Sequence, residues 1–196
     1  MPDYILSLNA FSEVIVHGLL LKDEASIPLT FHRGVSREGE LCEIPFGPDA
    51  VCRGIPPRPP SNLPPPGGEH LSIMLGETLG SGRVGTVHRA ILLGHDYDTK
   101  LPPLVIKVSR QKLSESIEQE AWFYEELEHV QGIAVPLCYG FFQARIEDGT
   151  EVTTWNDDKS YIKHKRQGDP TLLSILLLER LGERIPMHQS DYSIIQ

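Results

Sequence analysis

At 196 residues, 40% apolar and 23% charged, the chain has the composition of one ordinary globular domain with a sizeable extension, which excludes wholesale disorder. Eighteen basic against 27 acidic residues leave a formal charge of −9, which excludes a general affinity for nucleic acid or anionic lipid but not a local basic site for a phosphate. Three scattered cysteines (Cys42, Cys52, Cys138), without CxxC spacing, point to neither a disulfide framework nor a zinc site.

Residues 1–55 carry short apolar runs, Val14-Ile15-Val16 and Leu19-Leu20-Leu21, broken by Gly18 and polar turns. They predict two or three strands, a β-rich N-terminal extension of unassigned role. Residues 56–70 form a Pro/Gly-rich linker, in which seven of the eleven residues from Pro56 to Pro66 are proline. Such a run neither pairs into a sheet nor continues a helix, so a domain boundary is expected there. From 71 to 196 the pattern is strands, one helix, then strands. Leu71 to Leu79 and Thr86 to Leu93 read as strands flanking a glycine turn, and Leu104 to Val108 as a short apolar strand. Ser114 to Val130 is the clearest helix, with Ile117, Ala121, Tyr124 and Leu127 at helical spacing and Gly132 just beyond. Val135 to Ala144 and Leu172 to Leu178 are further strands, separated by a polar insertion from Arg145 to Pro170. The Met-Pro-Asp-Tyr start lacks a basic leader, and no apolar run approaches the ~20 residues that span a bilayer. A soluble protein of the cytoplasm or nucleus is expected.

The chemistry-bearing segment is Leu79-Gly80-Ser81-Gly82-Arg83-Val84-Gly85-Thr86-Val87. A G-x-G-x-x-G pattern serves both dinucleotide-binding helices and strand–turn–strand phosphate covers. The β-branched, alternating Thr86 to Leu92 favours a strand after the third glycine, hence the second arrangement. Lys107 stands inside the apolar strand Val105-Ile106-Lys107-Val108, where an ammonium is costly unless an anion meets it. Glu120, three residues after Ile117 and four before Tyr124, falls within the apolar stripe of the following helix and is the expected partner.

With these residues in view, the chain from Leu75 to about Ile185 resembles the protein kinase family. The likeness comprises the glycine-rich loop, Ala90, the strand lysine in Val-Ile-Lys, the helix glutamate, the Val135-Pro136-Leu137 to Gly140 strand entry, and the strand ending Leu177-Leu178-Glu179-Arg180-Leu181-Gly182. The resemblance implies an α+β fold: a kinase-like N-terminal lobe, an antiparallel sheet of about five strands with one main helix, preceded by the β-rich extension. It implies ATP binding. Gly80, Ser81, Gly82 and Gly85 would cover the phosphates, with Val87 beside them. Lys107 would contact the α/β-phosphates and pair with Glu120, Leu178 would be the gatekeeper, and backbone groups of Glu179 to Leu181 would meet the adenine. The twenty residues from Val87 to Lys107 imply a longer turn than is usual in the family. The family's H-R-D-L-x-x-x-N and D-F-G motifs are absent and fourteen residues follow Gly182, so protein ligands for Mg2+ are missing and a truncated, inactive lobe is expected.

The rival expectation is a non-catalytic interaction protein that uses the Pro-rich segment and an exposed lobe surface. Arg53-x-x-Pro56-x-x-Pro59 fits a basic-plus-PxxP ligand, but any Pro-rich run of this density contains such matches and a stiff spacer is the favoured account. Lys163-His164-Lys165-Arg166 is a basic cluster read as a solvated loop rather than a nucleic-acid patch. His17, His32, His70 and His129 lack metal-ligand spacing.

Overall fold

A computed structural model describes residues 6–36, 61–94, 101–155 and 171–182. Strand β1 (Phe11–Lys22) turns directly into β2 (Ala25–Arg33). Asp23 and Glu24 at this turn have φ of 51° and 65°, the left-handed values that a two-residue hairpin loop needs to match strand twist. Then follow β3 (Glu69–Ser81), β4 (Gly85–Leu92), β5 (Leu104–Ser109), α1 (Ser114–Glu126), β6 (Cys138–Arg145), the two-residue β7 (Glu151–Val152) and β8 (Leu172–Glu179). The expected helix over 114–130 is thus present as α1 followed by a 3₁₀ turn at Glu128–Val130.

The strands close on themselves. Around the barrel the order is β1-β2-β6-β8-β5-β4-β3 and back to β1, seven strands, with β7 added beside β1. The β1–β3 pair is parallel and the other six neighbours are antiparallel. Gly18, at φ 82°, sits in the irregularity between Val16 and Leu20, where β1 leaves β3 and takes up β7.

This overturns the expected open five-stranded sheet. The run β6-β8-β5-β4-β3 exists, but its two edges are not free: β1 pairs β3, and β2 pairs β6. The strands expected as a preceding extension are therefore part of the same sheet, across the 56–70 segment. An open edge leaves a row of backbone N–H and C=O groups unpaired, and the N-terminal hairpin satisfies both edges at once. The β2–β6 seam is short, His32 to Gln143 and Arg33 to Phe142, and Arg33 reinforces it. Its Nε donates to Phe11 O at 2.6 Å and its Nη2 to Tyr139 O at 2.7 Å, while the guanidinium lies 5.0 Å from the centroid of the Phe142 ring. Residues 61–67 are tied down as well. Gly67 N–H donates to Asn9 O, the Asn9 amide donates to Pro64 O, and Ser61 and Asn62 both donate to the Glu128 carboxylate.

The barrel interior is filled rather than hollow. Phe11, Phe31, Tyr139, Phe142, Ile106, Ile175 and Leu177 are fully buried in it. Alternation along β5 and β8 sends the other set outward: Val105, Leu176 and Leu178 form a second cluster with Ile117 and Ala121 of α1. That double burial explains why β8 reads as an apolar run interrupted only by the buried Ser174, Leu-Leu-Ser-Ile-Leu-Leu-Leu. Among the described residues no helix is long and apolar enough to cross a membrane.

Candidate cleft beside the Lys107–Glu120 pair

Lys107 lies on the outward face of β5, two residues beyond Val105, or about 7 Å along a strand. In the ladders it stands opposite Val87 of β4 and Leu176 of β8. Its Nζ donates to both carboxylate oxygens of Glu120, at 2.7 Å and 2.5 Å. The pair is held between sheet and helix, with side chains 20% and 27% exposed. It forms because α1 is docked by its buried Ile117 and Ala121 and by Ser114, whose hydroxyl donates to Leu172 O at 2.5 Å. Burial pushes the neighbouring Tyr124 phenol up to about 12, helped by the nearby Cys138 thiol and Glu120 carboxylate, so Tyr124 stays neutral there.

On the same outer face a cleft of about 680 Å³ is lined by Leu79, Val87, Pro103, Val105, Pro136 and the segment Leu178 to Gly182. Val87, Val105 and Leu178 give it an apolar floor, with Leu178 opposite Val105. At its edge, Glu179 N–H donates to Leu137 O at 2.8 Å and Arg180 N–H to Pro103 O at 2.7 Å. The Leu181 N–H has no hydrogen-bond partner among the described residues. The wall is thus apolar, with a backbone donor at one end and an ammonium beyond the other.

The glycines between β3 and β4 differ in kind. Gly80 pairs with Val87 and Ser81 with Thr86, and Gly82 N–H donates to Gly85 O at 2.9 Å. A Cβ at Gly85 would stand 2.4 Å from Val108 O, so Gly85 is required by the close approach of β4 to β5. A Cβ at Gly80 would meet nothing within 4 Å, and one at Gly82 only Gly85 O at 3.8 Å. No contact among the described residues demands glycine at those two positions.

The structure therefore brings Lys107 and Glu120 together and sets Val87, Leu178, Glu179 and Leu181 around one cleft, with Gly80, Ser81, Gly82 and Gly85 in the adjoining turn. Leu127, expected on the buried stripe, is 38% exposed, because α1 ends at Glu126 and the chain tightens into the 3₁₀ turn. Sequence reasoning missed Arg110, whose guanidinium donates to Gly82 O and Ser81 Oγ, and Trp155, whose Nε1 donates to Ser109 O at 2.9 Å. A basic residue just past a strand and a tryptophan in a polar insertion carry no sequence signal of burial. A second, larger hollow of about 830 Å³ lies by Arg33 and the C-terminal half of α1. Its rim carries Glu13, Glu125, Glu126 and Glu128, a charge that disfavours an anion, and it does not include Lys107. Cys138 is half-buried, and desolvation of its thiol pushes it up to about 12, so it stays a neutral thiol there. Cys42, Cys52, the Arg53 to Pro59 motif and the Lys163 to Arg166 cluster lie outside the described residues.

Compared with known proteins, the chain matches no family model, no curated protein and no solved structure. That result and the closed barrel together overturn the resemblance to the protein kinase family, whose N-terminal lobe is an open sheet with a helix. The local arrangement around Lys107 stands as a property of this chain and is considered on its own chemistry below.

Proposed function

We propose that this chain is a nucleotide-binding module, with ATP as the ligand of the cleft on the outer face of the barrel. The observation that carries the reading is the Lys107–Glu120 pair, set one strand step beyond an apolar slot. An ammonium placed between sheet and helix is held ready for a phosphate by a carboxylate that fixes its position. The apolar floor of Val87, Val105 and Leu178 suits a flat ring system, and the Leu181 N–H supplies a directional contact at its edge. Gly80 and Gly82 would let phosphates approach the backbone closely.

The test is a thermal-shift titration with Mg·ATP of the full chain beside its Lys107→Ala variant. At a hundredfold excess over the dissociation constant, ligation adds about 2.7 kcal/mol of stability, a rise in Tm of roughly 5–10 °C for a chain of this length. Lys107→Ala should lose that rise while keeping its circular dichroism spectrum. Absence of a saturable rise in the wild type would sink the reading. It would leave the exposed apolar side chains of Phe123, Leu127 and Ile133 as the feature to explain, through binding of a protein partner.

A further inference from the structure

We propose that Arg110 is a positioning residue that holds the β3–β4 turn open to an anion, an inference that rests on the nucleotide reading of the same site. Arg110 follows β5 directly and is 8% exposed. It grips the turn at three points. Its main-chain N–H donates to Val84 O at 2.9 Å, its Nε to Gly82 O at 2.8 Å, and its Nη2 to Ser81 Oγ at 2.9 Å.

A hairpin whose loop is two residues, here Arg83 and Val84, is ordinarily closed by reciprocal hydrogen bonds between the residues that flank the loop. Gly82 N–H does donate to Gly85 O. The return bond, from Gly85 N–H to Gly82 O, is not made; the guanidinium of Arg110 holds Gly82 O instead. Peptide geometry carries this displacement outward. In a planar trans peptide the C=O and the following N–H point in opposite directions. Turning Gly82 O and Val84 O toward Arg110 therefore turns the Arg83 and Gly85 N–H groups away from it. The Arg83 N–H makes no hydrogen bond among the described residues, and the Gly85 N–H is not taken up by β5, because the Arg110–Val84 bond beside it makes Gly85–Ser109 a non-hydrogen-bonded pair of the ladder. Two outward backbone donors, with a buried cation behind them, form the kind of concavity that takes a phosphate oxygen.

The guanidinium is suited to this because it is a rigid planar fork that reaches two acceptors at once. An ammonium keeps the charge but lacks the fork, which makes Arg110→Lys the informative variant. It should fold, and it should bind Mg·ATP about tenfold more weakly, because one of the two side-chain anchors is lost and the turn closes. Without ligand, the Gly85 amide should exchange its hydrogen more slowly in Arg110→Lys than in the wild type, since it regains Gly82 O as acceptor. That second reading needs no nucleotide, so it separates the two claims. If the wild type does not bind Mg·ATP, the nucleotide reading falls and takes the anion role of Arg110 with it, whatever the exchange shows. If the wild type binds, but a folded Arg110→Lys binds equally well with unchanged Gly85 exchange, Arg110 does not hold the turn open and this inference alone is wrong. Should Arg110→Lys not fold, Ser81→Ala decides: it removes the Nη2 anchor only, and an affinity drop of about threefold is expected. Wild-type affinity in Ser81→Ala would then overturn the proposal.

Discussion

Gly85 and Gly80 stand five residues apart in one turn, and alanine at each should move stability in opposite directions. At Gly85 a Cβ would lie 2.4 Å from Val108 O and 3.2 Å from Val108 C, closer than any methyl approaches a backbone carbonyl. The obstruction is backbone on a central strand, so β4 and β5 must separate, and the Thr86–Val108 register beside it must stretch. Forcing one methyl group into such a contact costs about 1–3 kcal/mol. For a chain of this length that lowers Tm by roughly 2–12 °C. At Gly80 the added methyl meets nothing within 4 Å. Gly80→Ala should instead raise stability by about 0.4–1 kcal/mol, by restricting the unfolded chain. Yet Gly80→Ala should weaken Mg·ATP binding, because the space it fills is the space a phosphate would take. Chemical denaturation and ATP titration of the two variants, side by side, check both halves. If Gly80→Ala destabilised as much as Gly85→Ala, the packing argument would be refuted. If it stabilised the fold and left ATP affinity untouched, the turn would not be the phosphate cover.

Two further outcomes are expected. His88 is 6% exposed, bonded through its ring nitrogens to Thr78 and Thr86, and its burial lowers its pKa despite a bond to the Gly76 backbone. The unfolded chain then binds the proton more readily, so the stability from a neutral His88 is full above the ordinary imidazole value of about 6.5 and is lost as pH falls below it. Denaturation of wild type and His88→Gln at pH 7.5 and pH 5.0 should show a smaller acid loss in the variant; equal losses would refute the assignment. Phe31, on β2 opposite Val14 of β1, is fully buried in the barrel core. Phe31→Ala should cost about 3–5 kcal/mol in a single unfolding transition. A main transition left unmoved would mean that the N-terminal hairpin is not part of the barrel core.

Much of the local structure was legible in the sequence, and the closure was not. Lys107 could be paired with Glu120 because each broke its own pattern, a cation in an apolar strand and a carboxylate in an apolar helical stripe. The strands could be placed because alternation and glycine punctuation are local. Period-two alternation, however, tells which face of a strand is apolar and nothing about which strand lies beside it. Val14-Ile15-Val16 was readable as a strand; its parallel pairing with Leu71, Ser72 and Ile73, more than fifty residues away, was not. Arg33 shows the same limit. A single arginine at a strand end looks solvated, and its two backbone carbonyls, on Phe11 and Tyr139, come from opposite sides of the seam it closes. Gly85 belongs to the glycine motif by spacing, and the structure adds a packing reason for its lack of a side chain, the close approach to Val108 O, that spacing did not show.

The closed barrel also dictates where a ligand can go. With Phe11, Phe31, Tyr139 and Phe142 filling the interior, no small molecule enters between the strands without displacing core side chains, each worth about 1.5–3 kcal/mol of burial. The usable concave surface must then lie on the outer face, where α1 packs beside Lys107. The helix has no side-chain N-cap bond, so its position depends on tertiary contacts rather than on its own ends. Those contacts are Ile117 and Ala121 against Val105 and Leu176, Ser114 on the Leu172 carbonyl, and Glu120 on Lys107. The last is the one that engages the ammonium proposed to meet the phosphate, and the others are apolar or remote from it. Binding at the cleft and docking of the helix are consequently linked through one side chain: an anion that draws Lys107 away from Glu120 loosens α1, whereas one that joins both in a shared arrangement tightens it.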